Sequence, residues 1–131
     1  MTKSRISKST YERLANFRYE LRKFIHFSEA EARQIGITPQ QHQLLLAIKG
    51  FPERDVATPR ELAERLRLSH NACVGLIDRC EQLGLVCRMP NPKDKRSVYV
   101  GITEHGTGIL EQLSEIHLEE IKRIGLFKYL E

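Results

Sequence analysis

The chain has 131 residues, 40% hydrophobic and 29% charged, which fits one globular domain with its own core. Its 21 Lys and Arg against 17 Asp and Glu leave a net charge of +4, and no apolar run approaches the roughly 20 residues that span a bilayer. With no leader-like apolar core at the start and an odd count of three cysteines, neither a membrane partner nor a disulfide-framed secreted scaffold is expected; the expectation is a cytoplasmic protein.

Residues 1–9 are polar and basic and read as a disordered tail, followed by a single domain over 10–131. From about Thr10 to Arg33 the spacing predicts a long helix whose stripe carries Leu14, Phe17, Leu21, Phe24, Ile25 and Ser28. Gly36 breaks it. Thr38, Pro39 and Gln41 then supply a cap, a first-turn proline and a capping box for a second helix through Lys49, which buries Leu44, Leu45, Ala47 and Ile48. Gly50-Phe51-Pro52 ends that helix, and Val56 reads as a short edge strand.

Thr58, Pro59 and Glu61 repeat the same start signal for a third helix with Leu62, Ala63 and Leu66 on one face. Arg67 and Leu68 make a tight connection to Ser69, which caps a fourth helix reaching Gly84. Cys73, Leu76, Ile77, Cys80 and Leu83 form its buried stripe. The opposite face carries His70, Asn71, Val74, Gly75, Asp78 and Gln82, with Arg79 at the flank. Small and polar groups suit a helix that enters a DNA major groove, and Gly75, which costs about 1 kcal/mol in a helix interior, is explained either by close approach to DNA or by clearance for a neighbouring helix.

After Gly84 the period changes to two, predicting a hairpin of Leu85–Met89 and Ser97–Ile102 with Val98, Val100 and Ile102 alternating against Ser97, Tyr99 and Gly101. Its tip, from Pro90 to Arg96, holds two prolines and three cations, a stiff basic loop suited to phosphates or a minor groove. Between Arg65 and Arg96 there are seven cations and three anions, so the whole excess charge of the chain falls in this block. Thr103 caps a last helix with the stripe Leu110, Leu113, His117, Ile121 and Ile124, ending near Gly125. The two terminal helices each carry an apolar face at opposite ends of a self-contained middle, so they are expected to pack on each other and on a second subunit.

The segments Gly36–Ile48 and Leu62–Gly106, above all Asp94-Lys95-Arg96 and the Ile102-Thr103-Glu104-His105-Gly106 helix start, resemble the MarR family of bacterial transcriptional regulators. The resemblance implies a mainly α fold with a small β-wing: a winged helix-turn-helix over 38–103, with dimerisation helices at 10–35 and 104–131. It implies a homodimer that binds double-stranded DNA on a palindromic operator, acting as a repressor and released by a small aromatic or phenolic effector. Ser69, His70, Asn71, Val74 and Gly75 would then face the bases, Arg79 would lie near the backbone or the wing, and Arg96 would enter the minor groove. Asp94 would brace the wing or Arg79. Arg67, Arg88, Lys93 and Lys95 are phosphate candidates, and Asp78 either reads a cytosine or pairs with a nearby arginine. Tyr19, Arg22, His26 and His42 are effector-pocket candidates. Related regulators continue with a further C-terminal helix, whereas only Leu126–Glu131 follow here, so a dimer interface that is smaller, or that relies more on the first helix, is expected.

Cys73 and Cys80 are seven apart on one helix, about 10 Å, too far for a disulfide, and read as small buried hydrophobes; Cys87 lies on a strand. The five histidines are scattered and no Cys-x-x-Cys pair exists, so no metal or other cofactor is expected. No nucleophile elbow, glycine-rich phosphate loop or paired-carboxylate motif points to an enzyme. Two alternatives remain: a winged-helix module that docks proteins, and a redox-responsive regulator using one of the cysteines.

Overall fold

Four short polar motifs set the helix starts, and the computed structural model, which describes residues 5–125 and Lys128, has each of them closed. Thr38 and Thr58 each accept from the backbone N–H three residues on, while Gln41 and Glu61 reach back to the cap residue's own N–H. Ser69 accepts from the Ala72 N–H at 3.1 Å and Thr103 from the Gly106 N–H at 3.0 Å. The elements are α1 (Lys8–Gln34), α2 (Pro39–Lys49), β1 (Val56–Ala57), α3 (Pro59–Leu66), α4 (His70–Gln82), β2 (Val86–Pro90), β3 (Val98–Ile102) and α5 (Glu104–Ile124).

The three strands form one antiparallel sheet in the order β1-β3-β2, with Val56 opposite Gly101 and Val86 opposite Ile102. The edge strand expected at Val56 is present. Because β3 is central, the simple alternation fails at Gly101, which is buried: a methyl group there would lie 2.6 Å from Met89 Cε and 3.4 Å from Val56 Cγ1. The core is built around α2, whose Leu44, Leu45 and Ile48 are fully buried in one cluster with Leu62, Cys73, Ile77, Val100 and Leu113. Each such side chain contributes about 1.5–3 kcal/mol by leaving water.

Several expectations need correction. The first helix begins two residues earlier than its apolar pattern, at Lys8, because Ser7 accepts from the Thr10 N–H and caps it; residues 1–4 lie outside the described residues. Leu14 and Ile25, placed on the buried stripe, are exposed, since within one chain α1 buries only Ser28 and Ala32. Leu83 is 52% exposed, being the residue at which α4 ends before Gly84 turns the chain with φ +73°. The hairpin is shifted: β2 runs to Pro90 and β3 starts at Val98. Ala47 is only half-buried. The segment Leu126–Glu131, apart from Lys128, lies outside the described residues.

α1 and α5 pack on each other through an unusual polar contact. His117 Nδ1 donates to the Leu113 carbonyl at 2.6 Å, and its Nε2 is hydrogen-bonded to Ser28 Oγ at 2.7 Å. The His42 ring of α2 lies against it at 4.9 Å, with Phe24 and Phe27 edge-on. Burial, reinforced by His117, lowers the pKa of His42 to about 4.

Candidate nucleic-acid interface

The helix-turn-helix depends on one strained residue. Arg67 ends α3 in the left-handed region, φ 57° and ψ 43°, with its N–H bonded to the Ala63 and Glu64 carbonyls, and this turns the chain sharply into the Ser69 cap. α4 then buries Cys73, Leu76, Ile77 and Cys80, so the opposite face stays open: His70, Asn71, Asp78 and Arg79 are exposed, with Val74 and Gly75 half-buried. Ser69 uses an oxygen lone pair on the Ala72 N–H, which leaves its hydroxyl hydrogen to donate outward. A methyl group at Gly75 would meet only Arg79 Nη1, at 3.4 Å, so no neighbouring helix requires a glycine there.

The wing loop is tied to itself by short-range bonds. Asn91, 7% exposed, accepts from the Lys93 N–H at 3.0 Å through its side chain and from the Asp94 N–H at 3.3 Å through its carbonyl. Asp94 Oδ1 accepts from the Arg96 N–H at 3.0 Å and from Arg96 Nε at 3.3 Å. The Arg96 side chain is 92% exposed, so the pair orients the guanidinium without covering it. Lys93 and Lys95 are exposed beside it. Among the described residues no ion pair joins Asp94 to Arg79; Asp94 braces the wing, and Arg79 lies across Gly75.

Asp78 pairs with Arg88 at 2.7 Å, the arginine pairing expected of it. Arg88, one of the phosphate candidates, also binds Glu81 at 2.6 Å, so its guanidinium holds two carboxylates within the chain. A residue the sequence did not single out is Arg54, which stacks on Phe51 at 4.4 Å, lies 5.6 Å from the Tyr99 ring of β3 and pairs with Glu61 of α3. It joins the base of the wing to the start of the helix-turn-helix.

The effector candidates separate. Tyr19, Arg22 and His26 line one open depression of about 540 Å³ between α1 and α5, together with Phe27, Glu120 and Arg123. His42 is not among them: it is 3% exposed, enclosed against His117, because α2 is the central helix of the fold. Cys73 and Cys80 are fully buried, and burial raises both thiol pKa values, that of Cys80 to about 11. Cys87 is half-buried on β2.

The MarR family model matches residues 35–97, from the end of α1 through the wing loop. Over that stretch the chain is similar to the MarR family of transcriptional regulators. Escherichia coli MarR, the multiple antibiotic resistance protein, is 35% identical over 82 residues, 63% of this chain and 55% of that protein. The chain spans about half the length of the curated relatives it matches. A mutant of E. coli MarR complexed with operator DNA superposes with a TM-score of 0.67 at 28% identity, covering 86% of each chain. AbsC, a MarR family regulator of Streptomyces coelicolor, gives a TM-score of 0.73 at 21% identity over 98% of this chain and 85% of its own, a likeness of fold. The chain has the winged helix-turn-helix fold of these structures, and no helix among its described residues is long and apolar enough to cross a membrane.

Proposed function

We propose that this chain is a sequence-specific DNA-binding transcriptional regulator of the cytoplasm, acting as a repressor and as a homodimer on a palindromic operator. The observation that carries the reading is the combination of an α4 face left open to solvent, led by Ser69, His70 and Asn71, with an Asp94-braced wing whose Arg96 is 92% exposed. A helix N-terminus with short polar side chains suits base edges, and a preoriented guanidinium suits the negative potential of a narrow minor groove. Lys93, Lys95 and Arg67 supply phosphate contacts, and Gly75 lets the helix backbone approach the bases. The solved DNA complex of E. coli MarR supports the same reading.

The dimer reading rests on apolar residues that one chain leaves uncovered on its terminal helices: Tyr11, Leu14 and Ile25 of α1, and Ile116 and Leu118 of α5. A twofold pair of α4 helices would address successive major grooves. The Tyr19, Arg22 and His26 depression, with its aromatic and cationic lining, suits a small aromatic or phenolic anion as effector. The redox reading is disfavoured by the buried, high-pKa thiols of Cys73 and Cys80, and the protein-docking reading by a wing tip of lysines and arginine.

Binding of random-sequence duplex DNA as a function of salt tests the proposal. Log affinity should fall linearly with log salt, by about 0.9 for each phosphate contact. No binding at low salt, or a flat dependence, would refute it.

A further inference from the structure

α4 carries two carboxylates where a DNA-binding helix can least tolerate them. Asp78 follows Asn71 and Gly75 at helical spacing and so shares their open face, and Glu81 stands one turn further on. Their side chains are 53% and 43% exposed. Left alone, the two would oppose the phosphates of a duplex lying along α4.

Arg88 of β2 answers both. Its Nη2 donates to Asp78 Oδ1 at 2.7 Å, its Nη1 to Glu81 Oε1 at 2.6 Å, and its backbone N–H to Glu81 Oε2 at 3.3 Å. Glu81 therefore grips the arginine by side chain and main chain together. β2 is itself held in register, Arg88 opposite Val100, so the guanidinium is a fixed anchor on the wing sheet. Its side chain is 27% exposed, against 92% for Arg96. The planar fork reaches two acceptors at once, which a lysine ammonium matches poorly.

We propose that Arg88 is a positioning residue for DNA binding: it masks the two carboxylates of α4 and ties that helix to the wing, without touching a phosphate itself. The inference rests on the DNA-binding reading above.

The test compares the full chain with Arg88→Met, with Arg88→Lys and with the triple variant Asp78→Asn, Glu81→Gln, Arg88→Met. Binding to a random-sequence duplex is measured by fluorescence anisotropy across a salt series, at a temperature where circular dichroism shows each variant folded. Arg88→Met should lose roughly tenfold or more in affinity, Arg88→Lys should fall between it and the parent, and the triple variant should return to within about threefold of the parent. The triple variant should also keep the parent's salt slope. A triple variant that stays as weak as Arg88→Met, with a slope lower by about 0.9, would make Arg88 a phosphate contact and overturn the proposal. Arg88→Met binding as the parent does would overturn it equally. If Arg88→Met fails to fold, the triple variant and Arg88→Lys decide by the same criteria. Failure of the parent itself to bind DNA would refute the underlying reading, a result distinct from any pattern among the variants.

Discussion

Gly75→Ala separates the stability of α4 from its use. In a helix interior, glycine costs about 0.5–1 kcal/mol relative to alanine, because it loses more backbone freedom on folding. At Gly75 the added methyl would meet Arg79 Nη1 at 3.4 Å, the far end of a flexible side chain at ordinary contact distance. Nothing else lies within 4 Å, so the full propensity gain should appear: stabilisation of about 0.5–1 kcal/mol, or roughly 3 °C in Tm for a domain of this size. The same methyl projects from the face proposed to meet DNA, where it should hold the helix away from the bases and displace Arg79. A loss of one well-made base contact is worth about 1–3 kcal/mol, so affinity should fall about tenfold or more. The assays are thermal unfolding by circular dichroism and anisotropy on a selected operator. A more stable protein with unchanged affinity would show that Gly75 does not serve DNA approach; a less stable one would show that Arg79 cannot yield.

Gly106→Ala should behave oppositely: its methyl would lie 2.2 Å from the Leu85 carbonyl oxygen, which already accepts from the Thr103 N–H, so destabilisation of about 3 kcal/mol is expected in urea unfolding. His42, with its pKa lowered from 6.5 to about 4, binds fewer protons folded than unfolded between those values, so stability should be complete above about pH 6.5 and fall by about 3 kcal/mol as pH drops to 4. In His42→Leu that part of the dependence should vanish, which urea titrations at neutral and acid pH would check. Arg96→Ala should weaken DNA binding and lower the salt slope by about 0.9 while leaving the unfolding free energy within about 0.5 kcal/mol of the parent's, because the side chain is 92% exposed; an unchanged slope would remove Arg96 from the interface.

Much of the architecture is written in neighbours three or four residues apart. Thr38, Thr58, Ser69 and Thr103 each close a cap with residues inside the first turn of their own helix, so sequence spacing alone locates those four helices. The Asp94–Arg96 brace is equally local. What the sequence hid depends on docking between distant elements. An arginine partner for Asp78 was legible, but not that Arg88, ten residues away across the turn between α4 and β2, would hold Glu81 as well; nor that Arg54 would reach Phe51, Glu61 and Tyr99. His42 looked like a pocket residue because its polarity is visible in sequence, whereas its enclosure against His117, from a helix 75 residues later, is not. Leu14 and Ile25 fit the helical period of α1 but have no cover within one chain, and periodicity does not say which molecule covers a stripe.

The central claim, that two copies of α4 and its wing address one duplex, is tested most directly by selecting bound sequences from a random DNA pool with the full-length chain. The account predicts an inverted repeat with half-site centres about one helical turn apart, each half-site changed by substitution at His70 or Asn71. Enrichment of a single unrepeated site, or of no sequence at all, would contradict it.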